Sequence, residues 1–180
     1  MIKKFLLGIF FIFVLLIGNI AFADYYGPCW AKNSINVYIP QGNKYSVTAE
    51  HAFQKWERLI GGRLQFVFSD EEDADVVVNF VKDVDGTDGE LGSYNTTIQG
   101  GKITKGEINM ATEGDKKFSD SMIFTVMLHE IGHVLGLPDS NRKIGIMHSP
   151  VEENQDIIRN DIIRLYRFNN WPIITEVYGK

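Results

Sequence analysis

Apolar and polar residues follow two different periods along the chain, which together predict an α+β domain. Five stretches alternate every second residue or form short apolar runs, as β-strands do. They cover residues 34–39, 63–68, 75–81, 91–95 and 107–111. Three longer stretches, 46–60, 118–135 and 153–168, carry apolar residues at helical spacing. Since no internal repeat or low-complexity linker interrupts these elements, we expect one continuous domain.

The first 23 residues differ from this pattern and match a secretory signal peptide. Two lysines precede an apolar run from Phe5 to about Ile17, and Ala21-Phe22-Ala23 is a small-residue cleavage site. An uncleaved membrane anchor is the alternative, because the apolar stretch approaches the length that spans a bilayer. The cleavage site favours the signal peptide. We therefore expect residues 24–180 to be secreted, without stable membrane insertion, as a single domain with a C-terminal tail at 169–180.

The charge of the chain argues against one class of partner. Removal of the two N-terminal lysines changes the formal net charge from -5 to -7, because every acidic residue lies beyond residue 23. No basic run remains in the secreted part, so we expect no nucleic-acid binding.

The stretch from His129 to Met147 carries the candidate chemistry. His129 and His133 are four residues apart in a predicted helix, so both imidazoles project from one face and can bind a single zinc ion. Glu130 follows the first histidine and can reach a water on the metal without binding the metal itself. This H-E-x-x-H arrangement is one in which a metal and a carboxylate share the activation of water.

The residues that follow the motif predict how a third ligand reaches the metal. Gly136 can adopt the left-handed conformation that ends a helix, and Pro138 prevents the helix from resuming. The turn brings Asp139 beneath the helix, where its carboxylate can be the third ligand and leave a fourth position for water. In the alternative, Asp139 caps its own turn and His148 substitutes as the ligand. Met147 is predicted to fill the floor of the site without a bond to zinc.

This stretch resembles the site of the metzincin metallopeptidases, H-E-x-x-H-x-x-G-x-x-H followed by a methionine turn. Asp139 stands where most of the clan has histidine, as in the snapalysin-type proteases. The spacing from Asp139 to Met147 is more similar to the matrixins, and matrixin-like features extend from about Trp30 to Phe168. The resemblance implies a metzincin-like twisted, mostly parallel five-stranded sheet with an antiparallel edge strand. It also implies three helices and a cleft between an upper and a lower subdomain.

The resemblance further implies where a substrate binds. In the matrixins, the edge strand beside the cleft pairs with an extended peptide, a form of strand addition. The segment similar to that strand consists of Leu91, Gly92, Ser93 and Tyr94. His148, directly after the methionine turn, is predicted to line the pocket beside the zinc.

Other metals follow less directly from the resemblance. Ser93 and Asn109 replace histidines of the matrixin structural zinc, so we expect one zinc ion and not two. A matrixin calcium loop lies near an acidic stretch of this chain, and carboxylates with glycines can bind Ca²⁺. The candidate Ca²⁺ ligands are Asp83, Asp85 and Asp88. A solvated acidic turn explains their clustering equally well.

Cys29 is the sole cysteine of the sequence, which excludes an internal disulfide. A buried free thiol is the default role for such a residue. The alternative is a thiolate that binds the zinc and keeps the protein latent.

The predicted function is that of a secreted zinc endopeptidase that acts on protein or peptide substrates as a monomer. Glu130 would take a proton from the attacking water and deliver it to the leaving amine. One rival is a secreted binding module with a structural zinc, which would not need Glu130. The other rival is a zinc amidase that acts on cell-wall peptides, and only the extended edge strand argues against it.

Overall fold

The structure, a computed structural model, describes residues 27–84, 91–113 and 118–173. The predicted signal peptide, the candidate calcium ligands Asp85 and Asp88, and the end of the C-terminal tail lie outside the described residues. None of the helices in the described part of the chain is long and apolar enough to cross a bilayer.

A twisted sheet of six strands forms the layer on which the helices pack. Its strands are β1 (Cys29–Trp30), β2 (Ser34–Tyr38), β3 (Gln65–Phe68), β4 (Val76–Val81), β5 (Gly92–Gln99) and β6 (Lys102–Ala111). The order is β1-β6-β4-β2-β3, and these neighbours pair in parallel. β5 pairs with the other side of β6 and is antiparallel to it. The mostly parallel sheet with an antiparallel edge strand is therefore confirmed.

The predicted number of strands was one too low. The additional strand, β1, has two residues and pairs with Lys102 and Ile103 of β6. Two residues are too few to show an alternating pattern, so this strand could not be recognised from the sequence.

The three predicted helices are present, with shorter bounds. They are α1 (Ser46–Leu59), α2 (Asp120–Val134) and α3 (Arg159–Phe168). α3 begins six residues later than its predicted start at 153, because the Asp161 carboxylate accepts a hydrogen bond from the Ile158 backbone N–H (3.1 Å) and caps the helix there. Before it, Asp156 lies in an extended segment, where it bridges to Gly145 and forms an ion pair with Lys55 (2.7 Å).

The core lies between the sheet and helices α1 and α2. Trp56 and Phe53 of α1 are fully buried, and the Trp56 indole N–H donates to the Leu128 carbonyl of α2 at 2.9 Å. Trp30 of β1 donates to the Val134 carbonyl at 3.0 Å. Two buried indoles thus fix the middle and the end of α2, which is the helix that carries the H-E-x-x-H motif.

Candidate metal centre

Helix α2 presents the motif from a buried and well-capped position. The Ser119 hydroxyl accepts the Met122 backbone N–H at 3.0 Å, which satisfies a donor of the first turn. From Thr125 to Val134 every residue is buried, so the helix is held on all sides. His129 and His133 lie one turn apart on it, and Glu130 lies beside them.

The helix ends in a Schellman motif that turns the chain back beneath it. Gly136 has a φ of +97°, and its N–H donates to the His133 carbonyl at 2.8 Å. The Leu137 N–H donates to the Gly132 carbonyl at 3.0 Å. A Cβ at position 136 would overlap the Pro28 carbonyl oxygen, so the turn needs glycine both for its conformation and for space.

The turn brings a carboxylate oxygen to the two imidazoles. The Nε2 atoms of His129 and His133 are 2.9 Å apart, and Asp139 Oδ1 lies 3.5 and 3.4 Å from them. Among the described residues, these three form the group of histidine, cysteine and acidic side chains that could hold a metal ion. Two nitrogens and one oxygen are a donor set that zinc prefers.

The hydrogen-bond partners of both histidines assign tautomers that fit a cation between these atoms. His129 Nδ1 lies 2.7 Å from the Ile146 carbonyl and His133 Nδ1 lies 2.8 Å from the Leu137 carbonyl. A carbonyl oxygen only accepts, so each Nδ1 carries the hydrogen and each neutral ring directs a lone pair from Nε2.

The two Nε2 lone pairs and the Asp139 carboxylate repel one another, and protonation of the histidines does not remove this repulsion at neutral pH. Burial lowers the pKa of His129, and burial together with the neighbouring His129 lowers the pKa of His133 to about 4. Two lone pairs and a carboxylate therefore converge without a donor among them. A divalent cation fits this arrangement, with both ring orientations already fixed by backbone carbonyls.

Met147 forms the floor of the site. Its side chain is fully buried, and a Cβ at Gly132 of α2 would overlap its sulfur. The thioether thus packs directly against the backbone of the helix between the two histidines.

A cavity of about 380 Å³ opens in front of the three donors. Its walls come from β5, α2 and the loop that follows Met147. The lining residues include Leu91, Gly92, Ser93, Tyr94, Met122, Val126, Glu130, Ser149, Pro150 and Val151. The Glu130 side chain packs against Gly92 of β5. A Cβ at Gly92 would lie 2.7 Å from Glu130 Oε1, so glycine there makes room for the carboxylate.

Tyr94 joins the edge strand to the metal group. Its ring stacks on the His133 imidazole with centroids 4.2 Å apart and planes 14° from parallel. Burial, followed by the nearby carboxylates of Asp139 and Glu130, raises the pKa of the Tyr94 hydroxyl. The phenol is therefore protonated at neutral pH and can donate a hydrogen bond inside the cleft.

The comparison with protein families agrees with this geometry. The sequence model of the Matrixin family matches residues 32–166, which is most of the chain and includes all three donors. The chain belongs to the matrixin family. It is accordingly a zinc metallopeptidase with a metzincin-like fold. No curated protein matches the chain significantly.

The matrixin-like segment predicted for substrate binding lines the cavity in full, whereas His148 is not among the residues that line it. Residues 91–94 belong to the cavity wall. His148 Nδ1 lies 3.1 Å from the Ser140 carbonyl, and the described cavity wall contains Ser149 instead. Ser93 and Asn109, which replace histidines of the matrixin structural zinc, are paired across β5 and β6. Asp83 is exposed, and calcium binding stays a prediction, because Asp85 and Asp88 lie outside the described residues.

Several contributors to this matrixin site were not recognised in the sequence. The Ile146 and Leu137 carbonyls fix the histidine rings, and the Arg164 guanidinium on α3 donates to the Pro138 and Asp139 carbonyls. Backbone carbonyls carry no sequence signal. Arg164 lay on the polar side of a predicted amphipathic helix, where an arginine is normally solvated.

Proposed function

We propose that the protein is a secreted zinc endopeptidase in which Glu130 is the general base. The observation that carries the proposal is the meeting of two ring nitrogens and one carboxylate oxygen at the back of an open cavity, with Glu130 in the same wall. A purely structural zinc site would be closed by four protein ligands, whereas three ligands leave a position open for chemistry.

The residues that would hold the zinc are His129, His133 and Asp139. When bound, the ion supplies Lewis acidity, which acidifies a water and polarises a substrate carbonyl. The histidines need no rotation to bind it, because their Nδ1 atoms are already engaged by the Ile146 and Leu137 carbonyls. Asp139 adds a negative charge to the neutral pair.

Glu130 would move the protons of the reaction. Its side chain is buried and faces the cavity next to Gly92. A carboxylate there can accept a proton from water as the water attacks a peptide carbonyl, and can then deliver it to the leaving amine. Its adjacency to His129 in the chain keeps it within reach of the open position without making it a ligand.

The edge strand supports a peptide substrate over other amides. Within the described residues β5 pairs with β6 alone, and residues 92–94 form its cavity end. An extended peptide can add to such an edge through backbone hydrogen bonds, and the scissile bond then lies across the cavity. Apolar side chains of Met122, Val126 and Val151 line the cavity and offer a surface for a substrate side chain.

Secretion is supported by the signal-like first 23 residues and by the typical extracellular location of matrixins. A monomer remains our expectation for the oligomeric state.

The test compares the protein with its Glu130→Ala variant on an unfolded protein substrate, with and without a zinc chelator. We expect the variant to bind zinc and to cleave at least about 100-fold more slowly, since general acid–base catalysis contributes at least that factor. The chelator should stop the parent protein. Glu72→Gln, at an exposed acidic residue in a turn before β4, is the control and should cleave normally.

Other outcomes identify the rivals. Zinc binding without cleavage of any amide by the parent protein would indicate a binding module. Cleavage of cell-wall peptides but not of unfolded protein would indicate an amidase. Cleavage by Glu130→Ala at the parent's rate would refute the proposed base.

A further inference from the structure

The turn that carries Asp139 is held by a residue of the last helix. Arg164 of α3 donates from Nη2 to the Pro138 carbonyl at 2.8 Å and to the Asp139 carbonyl at 3.3 Å. Its side chain is 19% exposed, so these bonds are shielded from much of the competing water. One guanidinium nitrogen thus joins two consecutive peptide units of a segment 25 residues away.

A buried carboxyl group lies behind the Arg164 guanidinium. Its Nη1 faces Asp161 Oδ1 at 4.0 Å, and Asp161 is fully buried. The other oxygen, Asp161 Oδ2, accepts the Ile158 N–H at the start of α3 and does not turn toward the arginine. Burial raises the pKa of the Asp161 carboxyl. The guanidinium lies between this carboxyl and the two carbonyls.

The Asp139 turn needs such a support more than the histidines do. The Asp139 side chain is 59% exposed, and it approaches the imidazoles from a turn and not from a packed helix. Pro138 has no backbone N–H, so the chain cannot be tied there through a donor. A carbonyl can be tied, and Arg164 binds the carbonyls of both residues. The position of the Asp139 backbone, and with it the reach of the carboxylate, therefore depends on α3.

We propose that Arg164 is a positioning residue that holds the Pro138–Asp139 turn so that the Asp139 carboxylate binds zinc. The inference rests on the proposed role of Asp139 as a ligand. Residues that orient a metal ligand through hydrogen bonds typically change metal affinity 10- to 100-fold when replaced. Arg164 binds the backbone of the ligand and not its side chain, and we expect an effect of the same kind.

The experiment measures the dissociation constant for Zn²⁺ by competition with a chromophoric chelator, and uses no activity readout. We expect Arg164→Met to raise the dissociation constant at least about tenfold. Arg167→Met is the matched control, because Arg167 is an exposed arginine on the same helix, and it should leave the constant unchanged. An unchanged constant in Arg164→Met would overturn the proposal.

A double-mutant cycle with Asp139→Ala separates positioning from a general loss of structure. If Arg164 acts through Asp139, Arg164→Met should cause no further loss of zinc affinity once Asp139 is alanine. A loss of the same size in both backgrounds would contradict the proposal, although Asp139 would remain a ligand. If Asp139→Ala alone leaves zinc affinity unchanged, the assignment of Asp139 as a ligand fails instead.

Arg164→Lys covers the case in which Arg164→Met does not fold, since it keeps a positive charge opposite Asp161. Lysine lacks the planar fork that spans two acceptors, so zinc affinity should still fall, by a smaller factor than for methionine. The circular dichroism spectrum and the thermal unfolding of metal-free Arg164→Lys should match those of the metal-free parent protein. Full zinc affinity in a folded Arg164→Lys protein would overturn the proposal.

Discussion

The two halves of the metal centre are built in different ways. The helical half, His129 and His133, is 4% and 8% exposed and belongs to a helix that the core surrounds. The other half, Asp139, is 59% exposed, on a turn that begins at Gly136 beside the Pro28 carbonyl and that accepts hydrogen bonds from Arg164.

The candidate ligands are therefore brought together in two ways: the histidines by their spacing within one helix, and Asp139 by contacts between distant parts of the chain. The spacing of the histidines on α2 places both rings on one face of the helix, where backbone carbonyls fix their tautomers and Tyr94 stacks on His133. The carboxylate reaches the same point from a turn that begins where the helix stops at Gly136 and that Arg164 contacts from α3. Substitutions at the junction of the halves should therefore be the most damaging.

The largest effect is expected at that junction. Gly136→Ala forces a side chain into a φ of +97° and into the Pro28 carbonyl. Left-handed strain and overpacking each cost roughly 1–3 kcal/mol, so the free energy of unfolding of the metal-free protein should fall by about 3 kcal/mol or more. Urea denaturation measures this change.

Gly62→Ala is the matched control for Gly136→Ala. Gly62 has a φ of +67°, but a Cβ there would meet no atom within 4 Å. Only the backbone strain remains, and we expect a loss of about 1 kcal/mol. Equal losses at the two glycines would contradict the importance of the contact with Pro28.

An intermediate effect is expected where the floor meets the helix. Gly132→Ala places a methyl group against the Met147 sulfur, which should cost about 1–3 kcal/mol of unfolding free energy. Met147→Ala removes the closest contact and leaves the contact of 3.3 Å with Trp56. In that background Gly132→Ala should destabilise the protein much less, because alanine is favoured over glycine inside a helix by about 1 kcal/mol. If Gly132→Ala lowers the unfolding free energy equally in the parent and in Met147→Ala, the Met147 side chain is not what excludes a larger residue at position 132.

The smallest effect is expected where β5 supports the helical half. Tyr94→Ala removes the ring stacked on His133, and such pairs contribute about 0.5–1.5 kcal/mol. The unfolding free energy of the metal-free protein should fall by no less than that amount, because the buried area of the ring is lost as well, while Tyr94→Phe keeps the ring and should leave it unchanged. A similar loss of unfolding free energy in Tyr94→Phe would show that the effect comes from the hydroxyl and not from the stacked ring.

The same division explains what could be predicted from the sequence. The two histidines, their helix and the glycine that ends it follow from spacing and from the conformational freedom of one residue, and these are local properties. The parallel sheet and its antiparallel edge were also predictable, but only through the resemblance to known metallopeptidases. The sequence pattern alone supplied the strands and not their order.

The missing elements depend on tertiary contacts. Arg164 looks like any arginine on an amphipathic helix until α3 is placed beside the Asp139 turn. Tyr94 was predicted as part of a substrate-binding strand, but its contact with His133 requires β5 to lie against α2. The late start of α3 follows from the hydrogen bond that the Asp161 carboxylate accepts from the Ile158 N–H, which the helical pattern at 153–158 could not show.

The most direct test of the account is a crystal structure of the zinc-loaded protein with anomalous data at the zinc edge. We expect one strong peak in the cleft, with the Nε2 atoms of His129 and His133 and a carboxylate oxygen of Asp139 at about 2.0–2.2 Å from it. A peak bound by the histidines while Asp139 faces the solvent, or zinc bound through His148, would contradict the account.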